Sequence, residues 1–260
     1  MKENQIYIET PVETIYRLSY NLWVKSKRGK NPMDIRAVKE TDDLVTIKRA
    51  LISVADKDGL GPFIQELAKL LPHLVIYSTG GTYKRIEETL KQNAMDKPRL
   101  VPVSEYTGQP EMQGGLVKTL DFKIYLGLLS ETYNEHHQAD FKRTGAFPID
   151  LVVVNLYPFE KTIARKDVTP EDARGNIDIG GPCMLRAAAK NYLRVLPLSD
   201  PEDYDYLLTK LKEKNGATDL LTRFHFAKKA FCHTAEYDRN ISRYLEEVSP
   251  EDIRGVYNLH

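Results

Sequence analysis

Ile149-Asp150-Leu151-Val152-Val153-Val154 runs directly into Asn155-Leu156-Tyr157-Pro158-Phe159. The first stretch is apolar at successive positions, so it reads as a strand buried on both faces in the middle of a parallel sheet. Four more short apolar runs frame it: Arg49–Val54, His73–Tyr77, Arg99–Val103 and Arg194–Leu198. Between them the apolar spacing turns helical. Phe63, Leu67 and Leu70 or Leu71 mark one helix over Pro62–Leu71, and Ile86 with Leu90 mark another over Thr82–Gln92. Strands alternating with helices imply right-handed crossovers and a sheet covered on both sides. The expected fold is therefore α/β, a three-layer sandwich around a mostly parallel five-stranded sheet, with helices at its C-terminal end.

Those last helices announce themselves by caps and spacing. Asp200 suits an N-cap, Pro201 the first helical position, and Glu202 and Asp203 the positive helix end, with the helix running to about Lys214. Leu220, Phe224, Ala227 and Phe231 mark the next helix, and Tyr237, Ile241 and Tyr244 a last one. Near the start, Tyr16, Tyr20 and Trp23 are at helical spacing within Ile15–Val24, and Lys25–Pro32 reads as a basic, exposed linker. The chain is accordingly divided into an N-terminal extension (1–45), an α/β core (46–199) and a C-terminal helical segment (200–260).

Composition narrows the function. The 260 residues carry 37 Lys plus Arg against 37 Asp plus Glu, so no long-range field recruits nucleic acid or a membrane surface. Any phosphate must be held by local geometry. Cys183 and Cys232 are the two cysteines. They offer no disulfide framework and no zinc spacing, which fits a reducing, cytoplasmic setting. Glu3, Glu9 and Glu13 interrupt the first 25 residues, so no signal peptide is expected, and no window approaches the roughly 20 apolar residues of a membrane span.

In parallel sheets, ligands sit beyond the carboxyl ends of the strands. The polar turns after the first, second and fourth strands all fall there. Ser78-Thr79-Gly80-Gly81-Thr82 leads into a helix, so its N–H groups and hydroxyls form an anion cradle or simply a capped turn. Asp56-Lys57-Asp58-Gly59 reads alone as an ordinary exposed turn, and Gly114–Leu120, with Lys118 and Thr119, as a surface loop. Asn176-Ile177-Asp178-Ile179-Gly180-Gly181-Pro182 is more specific. Pro182 suits a first helical turn, leaving N–H groups near Gly180 and Gly181 to face a developing oxyanion. Asp178 either serves chemistry there or caps the helix. Tyr157, at the end of the central strand, is a core tyrosine or a site residue. Arg186 binds phosphate or pairs with a surface acid. Lys190 stands roughly 12 Å up an unbroken helix from Pro182, which by itself marks a solvated helix-end lysine.

The ordered set S-V-A-D-K, S-T-G-G-T, S-E-Y-T-G-Q-P-E-M, V-K-T-L, D-L-V-V-V-N-L-Y-P-F, N-I-D-I-G-G-P, R-A-A-A-K-N and H-T-A-E-Y-D, over roughly residues 48 to 247, resembles the inosine monophosphate cyclohydrolase domain of the bifunctional purine-biosynthesis enzyme. The resemblance implies a methylglyoxal-synthase-like fold and the closing of the purine ring. In that reaction the carboxamide nitrogen of a formylamino-imidazole-carboxamide ribonucleotide attacks the formyl carbon and water leaves. It implies catalytic roles for Lys118, Tyr157, Asp178 and Lys190. Substrate contacts would come from Asp56, Lys57, Ser78, Thr79, Gly80, Gly81, Thr82, Thr119, Asn155, Ile179, Gly180 and Gly181. It implies no cofactor, no metal, a homodimer, and a separate enzyme that supplies the formylated substrate, since the formyl-transferring half has no counterpart here.

Three departures stand out. The family's phosphate-binding arginine, two residues before the V-K-T-L lysine, is Leu116 here; H-P-K-I-H-G-G is replaced by Asp121–Gly127; and the second serine of S-V-S-D-K is Ala55. Either substrate binding is weaker for the loss, or Lys123 or an N-terminal basic residue substitutes for the arginine. The departures keep alive a second reading, a non-catalytic nucleotide-binding or regulatory domain, which would have no need of four acid–base residues. A third, a lyase acting on a triose phosphate, does not account for the long N-I-D-I-G-G-P to R-A-A-A-K-N region.

Overall fold

The computed structural model describes residues 37–95, 97–109 and 118–260. The chain divides into two units, Met1–Lys39 and Glu40–His260. The helix expected over Ile15–Val24, the basic linker and Leu116 lie outside the described residues.

The sheet of the second unit has five parallel strands: β2 (Arg49–Ile52), β3 (Val75–Ser78), β4 (Arg99–Pro102), β5 (Leu151–Val153) and β6 (Leu196–Leu198), in the spatial order β4-β3-β2-β5-β6. A separate two-stranded antiparallel ribbon joins β1 (Val45–Thr46) to β7 (Ala217–Thr218). The five runs expected as strands are the five strands, with small differences at their ends. The chain builds outward from β2 to one edge, returns, and builds to the other edge from β5. The order reverses between β2 and β5, and their carboxyl ends open a crevice at that switch point.

Alternate residues of each strand serve opposite faces. Ala50, Ile52, Ile76, Leu151, Val153, Leu196 and Leu198 pack in one core with helices α1 (Leu60–Leu70), α2 (Gly80–Gln92) and α9 (Tyr204–Glu213). Leu51, Tyr77, Val101 and Val152 belong to the other core, under α4 (Phe122–Leu129), α8 (Gly180–Lys190) and α10 (Leu220–Glu247). Both faces being covered explains why the central strand is apolar throughout. Short helices α3 (Val103–Thr107), α5 (Glu135–Thr144), α6 (Phe159–Ile163), α7 (Pro170–Gly175) and α11 (Pro250–Val256) complete the unit.

The C-terminal segment begins as expected: Asp200 accepts the Glu202 N–H, and Pro201–Asp203 forms a 3₁₀ turn before α9. The two helices expected beyond it are one. From Leu220 to Glu247 no glycine or proline interrupts the chain, so the break inferred between Phe231 and Tyr237 has no physical cause. Asp219 caps its start by accepting the Thr222 N–H at 2.8 Å.

Two buried arginines tie the layers. Arg223 is fully buried and gives its five N–H groups to the carbonyl oxygens of Asp42, Asp43, Tyr192, Leu193 and Thr218. Arg194 donates to Asp150 Oδ1 at 2.8 Å and to the Gly127 and Ile149 carbonyls. Asp150 Oδ2 in turn accepts the Lys48 and Arg49 N–H groups, both at 2.9 Å. Asp150, the one charged residue between Ile149 and Val154, thereby fixes the start of β2 against β5.

Candidate active site

A cavity of about 600 Å³ opens at the carboxyl ends of β2, β3 and β5. Its walls include Lys57, Thr79, Gly80, Gly81, Thr82, Lys118, Thr119, Asn155, Tyr157, Asp178, Ile179, Gly180 and Gly181. Lys118, Tyr157 and Asp178, which sequence reasoning drew from three separate segments, share this one space.

The anion cradle is built at the start of α2. Gly80 has φ +46°, in the left-handed region that glycine enters without strain. A β-carbon there would lie 3.1 Å from Lys118 Nζ, and one at Gly81 would lie 3.6 Å from Lys57 Cε. Two ammonium-bearing side chains therefore flank the helix N-terminus, whose first N–H groups lack intrahelical partners. Ser53 Oγ and Thr79 Oγ1 stand 3.0 Å apart beside it. Charge, dipole and free donors coincide, the combination that holds a phosphate.

Other residues of the same turns are structural. Ser78 is fully buried and donates to the Ile52 carbonyl at 2.7 Å. Thr82 Oγ1 accepts the Val54 N–H and donates to the Val54 carbonyl, each at 3.0 Å. Asn155 spans the crevice: its Oδ1 accepts the Ala55 and Asp56 N–H groups at 2.6 and 3.0 Å, and its Nδ2 donates to the Asp56 carbonyl. Asp56 itself is exposed, accepts the Asp58 N–H and does not line the cavity. Asn155 thus shapes the turn that carries Lys57, and Ser78 locks β3 to β2.

The second wall is the start of α8. Asp178 Oδ1 accepts the Gly181 N–H at 2.9 Å, so Asp178 caps the helix while facing the cavity. The capping reading of that residue holds, and the residue also lines the cavity. The Gly181 N–H is correspondingly engaged by the carboxylate. Burial raises the Asp178 pKa above the ordinary 3.8, against the opposing pull of the Gly181, Tyr157 and Gly180 N–H groups. A β-carbon at Gly181 would lie 2.5 Å from Asp178 Oδ2 and 2.8 Å from Leu156 Cδ2, and one at Gly180 would lie 2.9 Å from Thr119 Oγ1. Only glycine permits this approach of helix, carboxylate and loop. Tyr157 and Ile179 are exposed at the mouth.

Three expectations meet a different geometry. Lys190 ends α8, an unbroken helix, is exposed, and is absent from the cavity wall. The distance objection raised from sequence describes its position. Its neighbour Asn191 is buried and clamps the Leu128 and Ser130 carbonyls at 2.7 and 2.8 Å. Arg186 is exposed, and its guanidinium lies 5.5 Å from the Phe231 ring centroid. Lys123 does not stand in for the missing arginine: its Nζ donates to the Tyr106 carbonyl at 3.3 Å and it does not line the cavity. Asp121, one of the departures, caps α4 by accepting the Lys123 N–H at 2.7 Å.

Sequence reasoning missed Ser53, Asn176, Ile177 and Met184 in the wall, and Tyr237 behind it. The buried Tyr237 hydroxyl accepts the Asp178 N–H at 2.8 Å from 59 residues away. Its motif, H-T-A-E-Y-D, was visible, but its place on α10 against α8 was not.

The chain is similar to known proteins over most of its described core. The MGS-like domain model matches residues 59–183, and the AICARFT/IMPCHase bienzyme model matches residues 188–259. The bifunctional purine biosynthesis protein PurH of Bacillus subtilis (strain 168) is 49% identical over 207 residues, which make up 80% of this chain and 38% of that protein. Its counterpart in Magnetococcus marinus is 46% identical over 215 residues, 82% of this chain and again 38% of that protein. This chain thus spans well under half the length of these relatives. The crystal structure of ForH is similar with a TM-score of 0.63 at 32% identity, covering 75% of this chain and 95% of that one.

Proposed function

Because the chain belongs to the AICARFT/IMPCHase bienzyme family, and carries its MGS-like part, we propose that it is an inosine monophosphate cyclohydrolase. It closes the ring of 5-formamidoimidazole-4-carboxamide ribonucleotide in purine biosynthesis. The observation that carries this reading is the meeting of Lys118, Tyr157 and Asp178 around a cavity with a lysine-flanked phosphate cradle at one end.

The residues suit the chemistry. The substrate phosphate sits at Gly80 and Gly81 beside Lys57, which fixes the imidazole and its two arms in the cavity. Holding both reacting groups in near-attack geometry supplies much of the acceleration. Asp178, with its pKa raised by burial, is a stronger base than an ordinary carboxylate and takes a proton from the carboxamide nitrogen. That nitrogen bonds to the formyl carbon, and the formyl oxygen becomes an oxyanion held by Lys118 and the Tyr157 hydroxyl. Protonation of that oxygen and loss of the second nitrogen-bound proton release it as water and leave the ring closed. Lys190 enters only through its family role. Single-turnover closure by Lys190→Ala decides it: a rate within about threefold of wild type removes it, and a loss of about 100-fold retains it.

On this reading the protein works as a homodimer in the cytoplasm on a substrate that already carries its formyl group. A second reading, a nucleotide-binding domain without catalysis, draws on Lys190 standing outside the cavity and on Leu116. Mixing purified protein with the formylated ribonucleotide and following the ultraviolet absorbance of the purine separates the two. Closure well above the spontaneous rate supports the enzyme; a bound but unconverted substrate supports the binder.

A further inference from the structure

At the opposite ends of the same strands lies a second cavity, of about 370 Å³. Arg49, Val75 and Arg99 open β2, β3 and β4 and are register partners. Register partners in a parallel ladder face the same side, so the two arginines flank Val75 with backbones about 10 Å apart. The next row on that face is Leu51, Tyr77 and Val101. Tyr106 packs on Tyr77 with ring centroids 4.5 Å apart, and Phe147 on Tyr106 at 6.4 Å. The result is an aromatic wall with a guanidinium on either side. Arg49 lies 4.7 Å from the Phe147 centroid, and Lys123 Nζ lies 5.9 Å from that of Tyr106.

Among the described residues neither Arg49 nor Arg99 forms an ion pair, whereas Arg194 nearby is paired with Asp150. Glu105 is on the rim and exposed. Long cationic side chains at strand ends can be explained by reach to water alone. That explanation leaves out the concave aromatic wall between them, which offers a flat ring a stacking surface and its charge two forked donors.

We propose that this cavity binds a small planar aromatic anion, its ring against Tyr106 and Phe147 and its charged group held by Arg99 with Arg49. The volume falls within the range of small-molecule sites. Such a site is independent of the cyclohydrolase reading, because none of these residues touches the first cavity.

The test is calorimetric titration of the full-length protein with adenosine 5′-monophosphate, which carries both ring and charge. Because the first cavity also admits nucleotides, the titration is made in the Lys57→Ala protein and in wild type. The proposal predicts a binding event that persists in Lys57→Ala. Arg99→Gln and Phe147→Ala, both at exposed positions, should each weaken that event, roughly tenfold or more for Arg99→Gln. Inorganic phosphate or adenosine alone should bind far more weakly. Nucleotide binding that Arg99→Gln and Phe147→Ala leave unchanged, or no binding at all in Lys57→Ala, would overturn it. So would conversion of a dimer to a monomer by Arg99→Gln with nucleotide affinity intact, since the cavity would then be a contact between copies.

Discussion

Asp178 combines two duties that pull in opposite directions. Burial raises its pKa, and capping α8 holds its charge in place. A group whose folded pKa lies above its unfolded value works against the fold once ionised. That cost is absent at pH values below the ordinary 3.8 and complete above the raised value. Asp178→Asn should therefore lower ring closure by about 10²- to 10⁴-fold while melting at a higher temperature than wild type at neutral pH. The difference in melting temperature should shrink as the pH is lowered through the raised value, as a pair of pH-dependent thermal melts would show. The wild-type rate should fall on the same descent, with its acid limb above the ordinary aspartate range. Tyr237 is tested separately. Tyr237→Phe removes the acceptor for the Asp178 N–H, a half-buried donor left unpaired at about 1–2 kcal/mol. Steady-state kinetics should show kcat reduced roughly tenfold, about the factor of one such bond, with KM nearly unchanged. Asp178 was legible from its place before a glycine-proline helix start, whereas Tyr237 was not, because only the packing of α10 on α8 brings it there.

At the scale of elements, the strands were readable because each is a continuous apolar run between polar turns, and the central one bore the clearest pattern. The region 103–148 was not, since α3, α4 and α5 are short and draw their stability from packing and caps, such as Asn134 accepting the His136 N–H. The long C-terminal helix was split in two because its apolar spacing lapses after Phe231, where the polar Thr234 takes a core position. The junction of β2 with β5 rests on Asp150, which has Arg194 and two backbone N–H groups as partners. Asp150→Ala would leave Arg194 buried without its counter-charge. Denaturant unfolding should register a loss of about 3–5 kcal/mol. Gly181→Ala should be lost to function for a different reason. Its β-carbon collides with Asp178 and Leu156, so substrate turnover should fall by about 100-fold while strand content by circular dichroism is retained.

For the molecule as a whole, alternation of strands and helices was enough to place a cavity at the carboxyl ends of the sheet, and the switch point between β2 and β5 is where it lies. What sequence did not reveal is the second cavity at the other ends, because its two arginines come from strands 50 residues apart in the chain and its aromatic wall from three separate places, β3, the short helix α3 and the segment before β5. The central claim remains that three segments deliver one reacting set to one nucleotide-sized space. Single-turnover ring closure at saturating formylated ribonucleotide tests it most directly, comparing wild type with Lys118→Ala, Tyr157→Phe and Asp178→Asn. Closure far above the spontaneous rate in wild type, with each variant slowed by about 100-fold or more and still folded, is the predicted result. A wild-type rate equal to the spontaneous one, or variants as fast as wild type, would contradict it.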